Sequence, residues 1–188
     1  DGLMLCNKPD GVALRRDADG DTPLVKVEQG ELRCRGDACL VAEPTGDGVA
    51  FSWVDARSGE RRPAWTFPAP TRWASWDLHP DRRTLTLMVA DRHVTVDLAT
   101  GHVTERPAVF DVPMGLEWSP DGSVLFGTGM SHRQAYPYQV VAIQDGASRV
   151  LWHAMSRVFH DLRVSPDGAH LAVSSTAFDD DVWMLDGL

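Results

Sequence analysis

The sequence is short of several things that would each point to a function. Only two of its 18 cationic residues are lysines, and those 18 face 27 Asp and Glu, for a net charge of −9. A surplus of that sign repels a phosphate backbone, which argues against direct binding of nucleic acid. Hydrophobic residues make up 43% of the 188, yet no apolar run approaches the ~20 residues that span a bilayer. Three cysteines are too few for a disulfide-built scaffold. Residues 1 to 10 show neither a starting Met nor the basic, apolar and small-residue order of a signal peptide. Catalytic signatures are missing too: there is no Gly-x-Ser-x-Gly elbow, His-Glu-x-x-His, Cys-x-x-Cys, P-loop or dinucleotide fingerprint. Gly127-Thr128-Gly129 lacks the third glycine and the strand-to-helix setting.

What the chain does have is internal repetition. The segments WDLHPD (76–81), LEWSPDG (116–122) and LRVSPDG (162–168) share alternating apolar positions that run into a Pro-Asp turn, with Pro80, Pro120 and Pro166 spaced by 40 and 46 residues. A period of ~40–45 residues is that of propeller blades. A second punctuation, Asp-x-x-Ser/Thr-Gly, occurs at Asp55–Gly59 and Asp97–Gly101, 42 residues apart. There Asp and Ser/Thr close the turn through local hydrogen bonds, and Gly accepts a positive φ. Each unit therefore reads as strand, Pro-Asp-Gly turn, strand, loop, strand, Asp-x-x-Thr-Gly turn, strand, a four-stranded antiparallel meander. The expected class is all-β, a β-propeller with blades at about 1–30 (partial), 31–69, 70–110, 111–155 and 156–188 (partial). The last ends in Val182-Trp183-Met184-Leu185, while Pro9-Asp10-Gly11 fits an inner loop and is not counted as a repeat. At ~42 residues per blade this makes about four and a half blades, the expected C-terminal part of a larger ring.

The repeated Ser-Pro-Asp-Gly turns resemble those of the TolB-like, WD-repeat-like β-propeller family. Together with the run Cys39 to Glu43 and the ending SPDGAHLAVSSTAFDDDVWML, they are most similar to the C-terminal propellers of bacterial winged-helix regulators and serine/threonine protein kinases. That resemblance implies a non-catalytic ligand- or protein-binding module in a signalling protein, without a cofactor. It also implies an extracytoplasmic position behind a membrane span, with the cytoplasm as the alternative. A competing reading makes the chain the propeller of a prolyl-oligopeptidase-type serine peptidase or of a metal-dependent carbohydrate lyase.

Individual residues carry further expectations. Cys34 and Cys39 flank a turn, where a hairpin disulfide and a pair of small buried thiols are both admissible; Cys6 is left over as a core thiol. Arg35-Gly36-Asp37 matches an integrin-binding tripeptide, a pattern short enough to arise by chance. Innermost strands align so that Asp77, Glu117 and Arg163 share one position, with Ser75, Gly115 and Asp161 two residues earlier. These groups either line a channel and contact a ligand or form ion pairs between blades. None of the seven histidines sits at a preformed ligand spacing; His160, on an innermost strand, is the one nearest a channel, and no metal is expected. The run Asp179-Asp180-Asp181 reads as a solvated turn. Most of the seven tryptophans belong to the core, with Trp65 and Trp73 the expected exposed partner contacts.

Overall fold

The computed structural model describes residues 4–7, 12–17, 20–26, 30–68, 74–89, 91–132 and 134–177. The remainder includes Trp73, the run Asp179 to Asp181, the segment Val182 to Leu185 and the triplet Pro9 to Gly11, and these lie outside the described residues. Every described element is a strand, paired antiparallel with its sequence neighbour in its own sheet. Blade 1 contains β1 (Met4–Asn7), β2 (Val12–Asp17) and β3 (Gly20–Lys26). Blade 2 contains β4 (Glu31–Arg35), β5 (Ala38–Pro44), β6 (Gly48–Asp55) and β7 (Arg61–Pro68). Blade 3 contains β8 (Ala74–Leu78), β9 (Thr84–Val89), β10 (Arg92–Asp97) and β11 (Val103–Pro107). Blade 4 contains β12 (Val112–Trp118), β13 (Leu125–Met130), β14 (Tyr138–Gln144) and β15 (Ala147–Ala154). In blade 5, β16 (Arg157–Val164) and β17 (Leu171–Ala177) are described. Strand β12 packs between β8 and β16, so the first strand of each of these blades neighbours the first strand of the next.

The turn chemistry works as the residue types dictate. Asp97 Oδ1 accepts from the Ala99 and Thr100 N–H groups, and Gly101, at φ 72°, donates its N–H to the Asp97 carbonyl. Asp55 and Gly59 repeat that arrangement. In the Ser-Pro-Asp-Gly turns, Asp121 and Asp167 each accept from the serine hydroxyl two residues earlier, Ser119 and Ser165. Gly122 and Gly168 take φ 75° and 72° there. The degenerate copy His79-Pro80-Asp81-Arg82 puts Arg82 at the glycine position with φ 60°, a conformation L residues adopt at a cost.

The face each side chain presents follows the period of two: on β5, Leu40 and Ala42 join one apolar cluster and Cys39 and Val41 another. Leu40, Phe51 and Phe67 of blade 2 meet Trp76, Leu85, Leu87, Val94 and Val96 of blade 3 in one apolar cluster. Met88 of blade 3 joins Phe110, Leu116, Leu125 and Val141 of blade 4 in another. Trp65 departs from expectation. It is half-buried and packs on Phe51 and Phe67, with ring centroids 6.2 and 5.6 Å away, because the β-strand it sits on turns that side chain toward the cluster. Among the described tryptophans the exposed one is Trp152 on β15, at 50%.

Candidate functional site

Four side chains of the innermost strands form a group across blades 2 to 5: Arg33, Asp77, Glu117 and Arg163. Sequence reading aligned the last three and missed Arg33. The signal was weak, because the shorter Arg35-Gly36-Asp37 turn shifts the offset: Arg33 lies 3 residues before Gly36, whereas Glu117 and Arg163 lie 5 residues before Gly122 and Gly168. Arg35, two residues on from Arg33, belongs to the same group.

Their geometry is that of a ladder between blades. Asp77, 2% exposed, receives a short hydrogen bond from Arg35 and lies 3.5 Å from Arg33 Nη1. Its Oδ2 also accepts the Trp118 backbone N–H at 2.7 Å, so one carboxylate ties together blades 2, 3 and 4. Arg163 Nη1 donates to Glu117 Oε2 at 2.9 Å, closing blade 4 on blade 5. Arg35 Nη1 stands 3.9 Å from Glu117 Oε1. Arg33 adds a hydrogen bond to the Leu116 carbonyl, a pair with Glu31 at 2.7 Å and a cation–π contact 5.4 Å above Trp76.

Burial disfavours a charge on Arg33, yet Glu31, Asp77 and Glu117 more than offset it and hold its pKa above the usual value. For Glu117, burial and then the negative charge of Asp77 push the carboxyl up, against the pull of Arg163, Arg35 and Arg33. The ladder can therefore fix blades in register. As for general acid or base work, every ionised group in it is already held by a neighbour.

The other candidate residues fall around it. His160 sits at the bulge between Phe159 and Leu162, with its ring exposed and 3.0 Å from Thr176 Oγ1 in its own blade. Its backbone carbonyl, rather than its ring, reaches blade 4, where it accepts from the Thr128 hydroxyl. A Cβ on Gly115 would stand 2.6 Å from that same carbonyl oxygen, so close approach of the blades requires glycine here. Asp161 is exposed, and its N–H donates to Ser174 Oγ at 3.1 Å. Ser75 is buried at 6% exposure. Among the described residues there is no cluster of three or more His, Cys, Asp or Glu able to hold a metal ion. No described helix is long and apolar enough to cross a membrane. Cys34 and Cys39 are joined by a disulfide, directly cross-strand in the β4–β5 hairpin. The tripeptide between them is engaged internally, Arg35 by Asp77 and Asp37 by Arg82 at 2.6 Å.

No protein family and no curated protein matches the sequence. Solved structures do match its shape. One is a putative TolB from Agrobacterium tumefaciens, with a TM-score of 0.66 and 20% identity over 97% of this chain and 68% of that one. A second is TolB from Acinetobacter baumannii, at 0.63 and 16% identity, covering 96% and 50%. The fold is that of a TolB-like β-propeller. A chain of a nidogen/laminin complex has the same shape, with a TM-score of 0.68 and 12% identity over 93% and 70% of the two chains. The sequence thus spans between 50% and 70% of the length of these β-propeller chains.

Proposed function

We propose that this β-propeller is a non-catalytic ligand- or protein-binding module, the C-terminal sensor or interaction domain of a bacterial signalling protein held on the extracytoplasmic side of its membrane. The observation that supports it is the ladder. The acids on the innermost strands, Asp77 and Glu117, are held by Arg35, Arg33 and Arg163, which gives a rigid frame and leaves neither acid placed to move a proton. The repeat signatures, with their resemblance to the propellers of winged-helix regulators and kinases, support the signalling context.

Two measurements test this reading. Purified full-length protein is assayed against chromogenic peptides and polyuronates with and without divalent metal. Rates equal to buffer are expected, whereas turnover that is lost in Asp77→Asn or Glu117→Gln overturns the proposal. The complete gene supplies the second test: a winged helix or kinase followed by a membrane span upstream agrees with it, and a hydrolase domain downstream of Leu188 contradicts it.

A further inference from the structure

Blade 3 has two unlike faces. Toward blade 2 it turns Leu85, Leu87, Val94 and Val96, all within one apolar cluster. Strand alternation sends the intervening residues the other way, toward blade 4. Cross-strand register sorts them into rows: Thr86, Thr95 and Thr104 stand side by side, and Met88, His93 and Arg106 form the next row. From these two rows Met88 joins the apolar cluster of blade 4. Thr86 is buried and accepts a hydrogen bond from Trp118 Nε1 at 3.3 Å, but farther out a wall of Thr95, Thr104, His93 and Arg106 leaves a cleft of about 590 Å³ against Trp118 and Ile143 of blade 4. That volume is in the range of small-molecule sites.

Two side chains on this wall lack what their chemistry calls for. Nε2 of His93 is buried with no hydrogen-bond partner among the described residues, a condition that in native proteins calls for an explanation. Burial first, and the charge of Arg106 second, lower the pKa of His93 and keep the ring neutral. Arg106 takes part in no ion pair among the described residues, and its guanidinium is seated on the β14–β15 turn. A Cβ on Gly146 would fall 2.7 Å from its Nη1, so the glycine at φ 80° makes the seat. Asp145 lines the same cleft and repels any anion in proportion to its charge, so a single negative charge set against Arg106 is opposed less than two are.

We propose that the cleft between blades 3 and 4 binds a small aromatic monocarboxylate, whose carboxylate is taken by Arg106 and His93 and whose ring lies against Trp118 and Ile143. The site adjoins the ladder at Trp118, whose backbone N–H is taken by Asp77, and stands independently of the signalling role. Calorimetric titration of the intact chain with benzoate, phenylacetate and indole-3-acetate tests it, with 2-phenylethanol and inorganic phosphate as the uncharged and the polyanionic controls. At least one of the three carboxylates is expected to bind at a single site at millimolar concentration. Arg106→Gln and the exchange of carboxylate for alcohol are each expected to weaken binding by roughly tenfold or more. Because Arg106 is exposed, its variant keeps the wild-type melting temperature; Thr95→Val, on the same wall, provides a second variant that lowers affinity without touching the cation. No binding by any of the three, equal binding by phosphate or by the alcohol, or affinity unchanged in Arg106→Gln overturns the proposal.

Discussion

The ring of His79 on blade 3 stands edge-on to Trp118 of blade 4, with centroids 4.6 Å apart and planes at 84°. Its Nδ1 accepts the Asp81 N–H and its Nε2 donates to the carbonyl of Gly122, each at 3.1 Å, so the first turn of one blade is latched onto the first turn of the next.

The latch requires glycine at 122 for two separate reasons. A Cβ there would stand 2.4 Å from His79 Nε2, and φ is 75°. Gly101 shares the second reason alone, with φ 72° and nothing within 4 Å of its would-be Cβ. Gly101→Ala is expected to lower stability by about 1 kcal/mol and Gly122→Ala by about 2 kcal/mol or more. Adding His79→Ala should recover part of the second loss but none of the first, as read from urea unfolding midpoints.

The disulfide between Cys34 and Cys39 closes a loop with a sequence separation of 5. By the chain-entropy argument so small a loop contributes about 2 kcal/mol. Reduction, or Cys34→Ser with Cys39→Ser, is expected to lower the melting temperature by roughly 4–8 °C, measured by calorimetry with and without dithiothreitol.

Acid should unfold the protein through its turns. The Ser119 hydroxyl and then the Ser123 N–H hold Asp121 down at about 2, and Ser165 and then the Ala169 N–H lower Asp167. A carboxylate depressed in the folded state adds stability above its unfolded pKa, and that contribution is lost as pH falls through the folded value. Glu117 has the opposite sign: its raised pKa means that protonation favours the fold, so it does not drive acid unfolding. Stability is expected to fall between about pH 4 and pH 2. The deficit of Asp121→Asn relative to wild type should be largest near neutral pH and vanish at the acid end, as followed by urea midpoints against pH.

The two ends of the ladder should differ in weight. Arg163 is 60% exposed in its pair with Glu117, so solvent screens it and Arg163→Ala should cost less than about 1 kcal/mol. Asp77 is 2% exposed and is shared by two arginines, so Asp77→Ala leaves Arg35 with only the more distant Glu117 and strips the Trp118 N–H of its acceptor, and should cost about 3 kcal/mol or more by chemical unfolding.

How legible all this was depended on whether the information was local. The Ser-Pro-Asp-Gly and Asp-x-x-Thr-Gly turns are contained within five residues, and they mark where strands begin and end. The row Asp77, Glu117, Arg163 could be read because those positions repeat relative to the turns. Its partner Arg35 could not, because blade 2 lacks the Pro-Asp turn spacing that would register it with Asp77, and only three-dimensional proximity joins them. Trp65 was misread because a proline-rich neighbourhood says nothing of which way a strand faces its side chains. The polar face of blade 3 was likewise hidden: Thr86, Thr95 and Thr104 are scattered in sequence, and they become a wall only when three strands are laid side by side.

The claim that the charges of the innermost strands lock blades together, rather than serve chemistry, is tested most directly by a double-mutant cycle between Asp77 and Arg35. Unfolding free energies of wild type, Asp77→Ala, Arg35→Ala and the double variant are compared. A coupling of about 1 kcal/mol or more is expected from two residues on different blades. Effects that add to within about 0.3 kcal/mol would contradict it.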